Sequence, residues 1–446
     1  MDWVKLLQPA QEANKGDQGI LQRTGFERDF DRIVFSAPFR HLQDKAQVFP
    51  LPENDFVHTR LTHSLEVSSV GRSLGKSTGE YLLKKHADLQ NAQISPADIG
   101  AIVAAAALAH DIGNPPFGHA GEEAISDFFK FHQYGKIWKN YLEPGQWSDM
   151  TNFEGNAQGF RMLVEKDNGL NISSATLAAF TKYPRASHIA DPAPNRKSQK
   201  KYGFFSDQTD HYQALADRLG ILKLGDKAWA RHPLAFLVEA ADDICYNIID
   251  LEDACTLGLI PLEESIQLMA AILGERFSSQ KLQSIKTPGQ KLAVLRALAI
   301  NQLIQETVVA FQEQELKMLE GEFDQPLTEI IPSAPALSRI SEISIKKIYR
   351  SEPVLEKEAA GFQVLEGLLE VFSKALYHQY YEKERMAGRD KSILRLLPPH
   401  FPLLYGESEN SPYPLLRVLI DYISGMTDKF ALATYRKVMG ISIPGI

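Results

Sequence analysis

Through most of the chain apolar residues recur at intervals of three and four, the spacing of amphipathic helices. Few stretches alternate with the two-residue period of strands. Residues 58–85 read as one helix, with Leu61, Leu65, Val70, Leu74, Tyr81 and Leu82 on or beside an apolar stripe. Ser95-Pro96-Ala97-Asp98 opens a second, with a serine to cap, a proline at the first helical position and an acid at the third. That pattern runs to about Ile112, where Gly113 suits a C-terminal cap and Asn114-Pro115-Pro116 prevents continuation. A third helix is predicted from near Gly118 to about Phe131, and a long apolar one from about Pro233 to Ala254. Residues 262–276, 289–320, 352–384 and 413–438 carry the same period. Residues 133–155 and 184–210 read as loop-rich excursions, and 321–350 as a short hairpin or irregular linker. With no internal repeat and no clean linker, the pattern predicts an all-α protein, residues 1–446 forming a single large helical domain.

Composition narrows this picture. A length of 446 residues would allow about three domains, but no boundary is visible between them. Hydrophobic residues at 44% and charged residues at 23% are ordinary globular values. Such a chain buries enough surface to fold without disulfides. The two cysteines, Cys245 and Cys255, lie on one predicted helix and fit a reducing compartment. The net charge of −8 argues against dedicated binding of duplex DNA, though not against a local basic pocket. Met1-Asp2-Trp3-Val4-Lys5 is not the start of a secretory signal, and the longest apolar run is Ala101–Ala109. A membrane span needs about 20 apolar residues, so the expectation is a cytoplasmic protein with no membrane association.

Three of the 12 histidines stand out by their neighbours. His63 lies in Val57-His58-Thr59-Arg60-Leu61-Thr62-His63-Ser64-Leu65-Glu66, and His110 heads the one His-Asp dipeptide, followed by Asp111. An adjacent imidazole and carboxylate at a helix end can share one metal ion. Oxygen ligands favour Mg or Mn, and imidazole suits Fe, Ni or Zn. His119 and Glu122 share a face at a helix start, an arrangement that sets the imidazole tautomer for acid/base work. In the long apolar helix Asp242 and Asp243 are costly unless paired or metal-bound. Asp242, Tyr246 and Asp250 form one stripe, opposite Leu237, Ala241, Ile244, Ile248 and Leu251. Asp242 is the expected ligand, with Asp243 as the alternative.

Together these residues give His … His-Asp … Asp, the pattern of the HD superfamily of metal-dependent phosphohydrolases. The flanking stretches Phe39-Arg40-His41-Leu42-Gln43-Asp44-Lys45-Ala46-Gln47 and His110-Asp111-Ile112-Gly113-Asn114-Pro115-Pro116-Phe117-Gly118-His119 sharpen the likeness. The chain closely resembles bacterial deoxyguanosine triphosphate triphosphohydrolases and is similar to the mammalian HD-domain dNTP triphosphohydrolase. The likeness continues through Asn152-Phe153-Glu154-Gly155, Thr181-Lys182-Tyr183-Pro184, Lys201-Tyr202-Gly203-Phe204-Phe205 and Asp421-Tyr422-Ile423-Ser424-Gly425-Met426-Thr427-Asp428. It departs at His41, where the bacterial pattern has a second arginine. It departs also at Asn114, and before Glu154, where the mammalian relative has histidines.

The resemblance implies a catalytic core over 39–260 with a helical elaboration over 261–446. It implies hydrolysis of a dNTP to a deoxynucleoside and inorganic triphosphate, with a divalent ion on His63, His110, Asp111 and Asp242. His119, oriented by Glu122, is the expected acid/base residue. Arg60 and Lys182, then Arg40, are the expected phosphate clamps, since a triphosphate brings about four negative charges for guanidinium and ammonium groups to meet. In relatives, residues placed like Tyr246 and Asp250 contact the deoxyribose. Gln43 and Gln47 could read base edges. The family also implies a homo-oligomer, a hexamer built from dimers, and a nucleotide effector. Other HD phosphohydrolases, acting on monophosphates, cyclic nucleotides or alarmones, are the enzymatic alternative. A nucleotide sensor or single-stranded-DNA-binding protein is the non-enzymatic one. The basic run 196–201 reads as a solvated loop, with single-stranded nucleic acid as its alternative partner.

Overall fold

In a computed structural model, the chain is described over residues 1–8, 23–47, 58–165, 169–190, 193, 195–398 and 411–441. Helices dominate, as the three- and four-residue spacing predicts. Helix α1 is Gly25–Val34, started by a capping box between Thr24 and Glu27. Helix α2, Arg60–Lys85, begins at a Thr59 cap whose hydroxyl accepts from the Thr62 amide. Helix α3, Pro96–Ala109, uses the predicted Ser95–Asp98 capping box with Pro96 at its first position. It ends three residues before Ile112, with His110 as its cap residue. Gly113 is therefore not a helix cap. A side chain there would strike the backbone of Gly155 and Gly159, so glycine is what lets the helix Gly155–Val164 pack behind the His110-Asp111 turn.

The pairing of α2 with α3 rests on small residues. A Cβ at Gly75 would lie 2.8 Å from the Ile99 carbonyl, and one at Gly79 would lie 2.8 Å from Pro96 Cα. Gly71 meets Ala107 and Val103. Three glycines at four-residue spacing bring the two backbones together and set the start of α2 against the end of α3.

After Asn114 the chain turns through Phe117 and Gly118, both at positive φ (63° and 61°), into α4, His119–Phe131. Residues 133–155, read as loop-rich, instead form Gln133–Lys136, a 3-10 turn Ile137–Tyr141 and a helix Pro144–Thr151. Helices this short have no amphipathic repeat long enough to register as one. Then come α5 (Gly155–Val164), α6 (Ser174–Phe180) and α7 (Thr209–Leu219), the last stopped by left-handed Gly220. Strands β1 (Lys223–Gly225) and β2 (Ala228–Trp229) pair antiparallel. The hairpin thus sits here, not in 321–350. Helix α8 is Pro233–Thr256, α9 Leu262–Leu273 and α10 Pro288–Leu319. Helix α11, Ala334–Ser344, runs into a π turn, Ile345–Tyr349, so the predicted linker is helical as well. Helix α12 is Glu352–Tyr381, and the stretch 413–438 divides at Gly425 into α13 (Tyr413–Ser424) and α14 (Asp428–Val438).

Apolar side chains gather in two bodies. The larger joins α1–α3 and α6–α11, and α8 buries Leu237, Ala241, Ile244, Ile248 and Leu251 in it. The smaller joins α4, the short helices after it and α12–α14. By length and composition α10 is apolar enough to cross a membrane, a test that core helices of soluble proteins also pass. Its Leu292, Leu295, Ala299, Leu303 and Phe311 lie buried in the larger body.

On α10 the fully buried Glu315 collects four donors: Trp3 Nε1 (2.8 Å), Tyr81 OH (3.0 Å), Lys85 Nζ (2.6 Å) and His86 (2.6 Å). Burial pushes its carboxyl up, but the hydrogen bonds from Lys85, Trp3, His86 and Tyr81 outweigh it and hold the group below the ordinary glutamate value. Glu315→Ala strands these donors and should cost about 3–5 kcal/mol in urea unfolding at neutral pH. Stability from a carboxyl depressed on folding is complete above its unfolded value and is lost as acid protonates it. Wild type should therefore lose its advantage over Glu315→Gln below about pH 4. Equal slopes of stability against pH in the two proteins would contradict this.

Candidate active site

The close α2–α3 pair places His63, one turn into α2, beside His110 at the end of α3. Their rings meet edge to face, with centroids 5.3 Å apart. Asp242, from the middle of α8, closes the group. Its Oδ1 lies 3.1 Å from His63 Nε2 and 3.5 Å from His110 Nε2. One ligand atom from each of the three lies within 4.8 Å of the others. His110 Nδ1 sits 2.7 Å from the Ala107 carbonyl, which demands a donor, so the proton is assigned to Nδ1 and Nε2 holds a lone pair. That Nε2 is buried without a hydrogen-bond partner. A buried bare imidazole nitrogen aimed at a second imidazole and a carboxylate is the donor set of a divalent metal ion, its Nδ1–H fixed by a carbonyl. Asp111 Oδ1 lies 3.6 Å from His110 Nε2, while its Oδ2 accepts from Arg60 Nη1 at 2.8 Å and Asn114 donates to Oδ1.

Spacing left Asp242 and Asp243 open. In the structure Asp243 turns away from the histidines, and its Oδ2 accepts from Thr328 Oγ1 at 2.6 Å. Burial pushes its carboxyl up to about 7, against the pull of Lys182. Burial acts on Asp242 too, but His110, His63 and Lys182 outweigh it and hold that carboxyl well below the usual range. For Asp111, Arg60 and the two histidines likewise outweigh burial.

His110, Asp111 and Asp242 line a cleft of about 520 Å³. His119 stands in its wall with a side chain 86% exposed, and its Nδ1 lies 2.7 Å from Glu122 Oε2. Glu122 is buried, and its Oε1 accepts from the Gly155 amide at 2.6 Å. Against burial, His119 and Lys201 hold the Glu122 carboxyl below its ordinary value. Arg60 is buried at the first turn of α2, and Gly118 makes room for it, since a Cβ there would lie 2.7 Å from Arg60 Nη2. Lys182 Nζ is 3.3 Å from Glu239 Oε1, a carboxylate shared with Arg231.

The structure does not bring every expected residue to the cleft. Arg40 and Gln43 are exposed and lie outside its described walls, on a short helix and 3-10 turn that point them to solvent. Gln47 lines the cleft, and its Oε1 is buried without a partner. Tyr246 lines it as well, but Asp250 is buried behind the wall, where its Oδ2 accepts from Tyr349 OH at 2.5 Å. Burial pushes the Asp250 carboxyl up to about 8. Tyr349, at the end of the π turn, stacks on Tyr246 with centroids 5.6 Å apart. Sequence reasoning missed it because the stretch read as linker.

Lys201 was also missed as a cleft residue. The run 196–201 is solvated only in part: Lys197 and Lys200 are exposed, while Arg196 and Lys201 are held by partners. Arg196 bonds the Gly321 carbonyl, Lys197 pairs with Glu329 at 3.0 Å, and Lys201 lies 3.1 Å from Glu154 and 3.8 Å from Glu122. Burial and Glu122 push the Glu154 carboxyl up to about 7. The family motif Lys201-Tyr202-Gly203 was the only available signal.

The geometry separates the two adjacent acids by experiment. Asp242→Asn should weaken Mn²⁺ binding by about a hundredfold or more, whereas Asp243→Asn should change it by no more than about threefold. Titration calorimetry reads both. Equal losses would mean that the acids act as a pair.

Comparison with known proteins agrees with this arrangement. Residues 60–151 match the HD domain, and residues 334–437 match the phosphohydrolase-associated domain. A deoxyguanosinetriphosphate triphosphohydrolase-like protein of Synechocystis sp. is 39% identical over 99% of this chain and 100% of its own length. One from Pseudomonas aeruginosa is 37% identical over the full length of both chains. The deoxyguanosinetriphosphate triphosphohydrolase of Salmonella paratyphi A is 30% identical over 93% of this chain and 94% of its own. With the ligand pattern, the cleft and full-length likeness in accord, the chain belongs to the deoxyguanosinetriphosphate triphosphohydrolase-like family of HD-domain hydrolases.

Proposed function

We propose that this protein hydrolyses deoxynucleoside triphosphates, dGTP foremost, to a deoxynucleoside and inorganic triphosphate, using a divalent metal ion. The observation that carries the reading is one cleft in which a bare imidazole nitrogen, a His–carboxylate pair and three cations converge. His63, His110 and Asp242, with Asp111 adjoining, would hold the ion, Mg or Mn first and Fe, Ni or Zn by the same donors. When bound, such an ion polarises a phosphoryl oxygen and lowers the pKa of a water.

The chain's own residues supply the rest. Arg60, Lys182 and Lys201 each sit against a carboxylate, on Asp111, Glu239 and Glu154, so the cations are held in place before substrate arrives. A triphosphate then offers them further acceptors with a matching geometry for the guanidinium. Glu122 accepts from His119 Nδ1, which leaves Nε2 to exchange a proton with the oxygen at the reacting phosphorus. Tyr246 crowds the sugar's 2′ position and so disfavours a ribose. Asp250 acts on the sugar side through the Tyr349 hydroxyl it binds. Gln47, with its unpartnered carbonyl oxygen, faces the base or sugar.

The same reading assigns residues 39–260 to the catalytic core and 261–446 to a helical elaboration packed on it. It places the protein in the cytoplasm, where Cys245 and Cys255 stay free. It includes self-association into a homo-oligomer, a hexamer built from dimers, and a nucleotide effector. Exposed Phe35 and Phe131 offer apolar surface for self-association.

The test is a panel of the four dNTPs with Mg²⁺ or Mn²⁺, each alone and in pairs, with inorganic triphosphate detected directly. Release of orthophosphate or pyrophosphate alone would replace this reading with another HD phosphohydrolase activity. In the same assay His119→Ala should lower kcat by about 10²–10⁴-fold while Mn²⁺ binding is retained. Near-normal turnover would remove His119 from the chemistry.

A further inference from the structure

A carboxylate far from the cleft in sequence holds two of its walls. Asp428, buried at the first turn of α14, accepts from the Ala46 amide through Oδ2 and from the Phe117 amide through Oδ1, both at 3.0 Å. Ala46 pairs with Thr59, and the Arg60 amide donates to the Lys45 carbonyl at 3.1 Å, so this segment carries the start of α2 and with it Arg60. Phe117 opens the turn that delivers His119, and it holds a positive φ that side-chain-bearing residues rarely adopt. A backbone in that region persists only where surrounding contacts over-determine it.

Buried Lys45 repeats the tie with opposite polarity. Its Nζ donates to the Asn114 carbonyl at 2.6 Å and to the Ser424 carbonyl at 2.7 Å. The turn between Asp111 and His119 is thus tied at both ends to the 424–428 corner between α13 and α14. The Phe117 ring also lies against Gly361 on α12, where a Cβ would come within 2.7 Å of its Cγ. The ties reach the cleft through Ala46, Asn114 and Phe117, which line it, whereas the Asp428 and Lys45 side chains that make them lie outside its described walls.

We propose that Asp428 and Lys45 are positioning residues that latch the His119 turn and the Arg60 segment together from the C-terminal helices, fixing the distance between the acid/base residue and the phosphate clamp. The inference rests on the reading of His119 and Arg60 given above. A displacement of about 1 Å at such a site costs about a hundredfold in rate.

The variant Asp428→Asn keeps the volume and loses the second acceptor. It should lower kcat for dNTP hydrolysis by about ten- to a hundredfold. KM and Mn²⁺ affinity should stay within about threefold of wild type, and the amides of Ala46 and Phe117 should exchange hydrogen faster. Thr427→Ala is the control for stability alone, because Thr427 caps α14 through the Phe430 amide and touches neither wall. It should lower the unfolding midpoint and keep kcat. The latch is wrong if Asp428→Asn retains full kcat, if its exchange at Phe117 matches wild type, or if Thr427→Ala loses as much kcat. Should Asp428→Asn fail to fold, Lys45→Met cuts the second tie and is read by the same criteria. Should the wild type hydrolyse no dNTP, the functional reading falls, and the exchange at Phe117 still decides the latch.

Discussion

Everything in the cleft depends on how closely α2 and α3 approach. Gly71, Gly75 and Gly79 remove the side chains that would separate them, and Ala107, Val103 and Ile99 fill the seam from the other side. Without that approach His63 and His110 could not stand ring against ring. Glycine inside a helix costs about 1 kcal/mol relative to alanine, and here three turns of α2 accept that cost. Burial of α3 on nearly every face offsets it, as the uninterrupted row of buried residues from Ile102 to Ala109 indicates.

A second constraint is electrostatic. The protein carries a net charge of −8, yet its cleft gathers Arg60, Lys182 and Lys201. Each sits beside a carboxylate that is itself buried or nearly so: Asp111, Glu239 and Glu154. Lys182 stays protonated despite burial, because Glu239 and the neighbouring acids outweigh the loss of water. An acidic chain therefore maintains cations at fixed points by surrounding each with its own counter-charge. This arrangement suits recognition of a polyanion better than a bare basic patch would, since the side chains are already ordered.

Local signals in the sequence carried much of this. Ser95, Pro96 and Asp98 announced α3 because capping chemistry acts within one turn. The His-Asp dipeptide and the inward acid of α8 were visible because a charge in an apolar stripe needs a partner. Depth was less visible. The i, i+4, i+8 arithmetic put Asp250 on the stripe of Asp242, but it could not show Tyr349 standing between that acid and the cleft. Lys201, Glu154, Lys45 and Asp428 escaped because, although each lies in a stretch that resembles the family, no local periodicity or pairing marks its side chain as more than surface charge. Their roles arise from chain segments that meet only in the folded state. Gly113 showed the converse: a residue with a sound local explanation, a helix cap, had a tertiary one, the close passage of α5.

The proposed ligand set would have a kinetic consequence. His63, His110 and Asp242 come from three helices, and the last lies well outside the stretch 60–151 that matches the HD domain. The α2–α3 pair can form early because its contacts are local. Asp242 arrives only when a loop of more than a hundred residues closes, a step whose entropy cost must be met before its contacts are gained. A nascent chain released after the HD segment would present the two imidazoles and Asp111 but not Asp242. On the proposed ligand assignment, tight metal capture would wait until α8 docks, and the ion's binding energy would then add to the stability of the assembled chain.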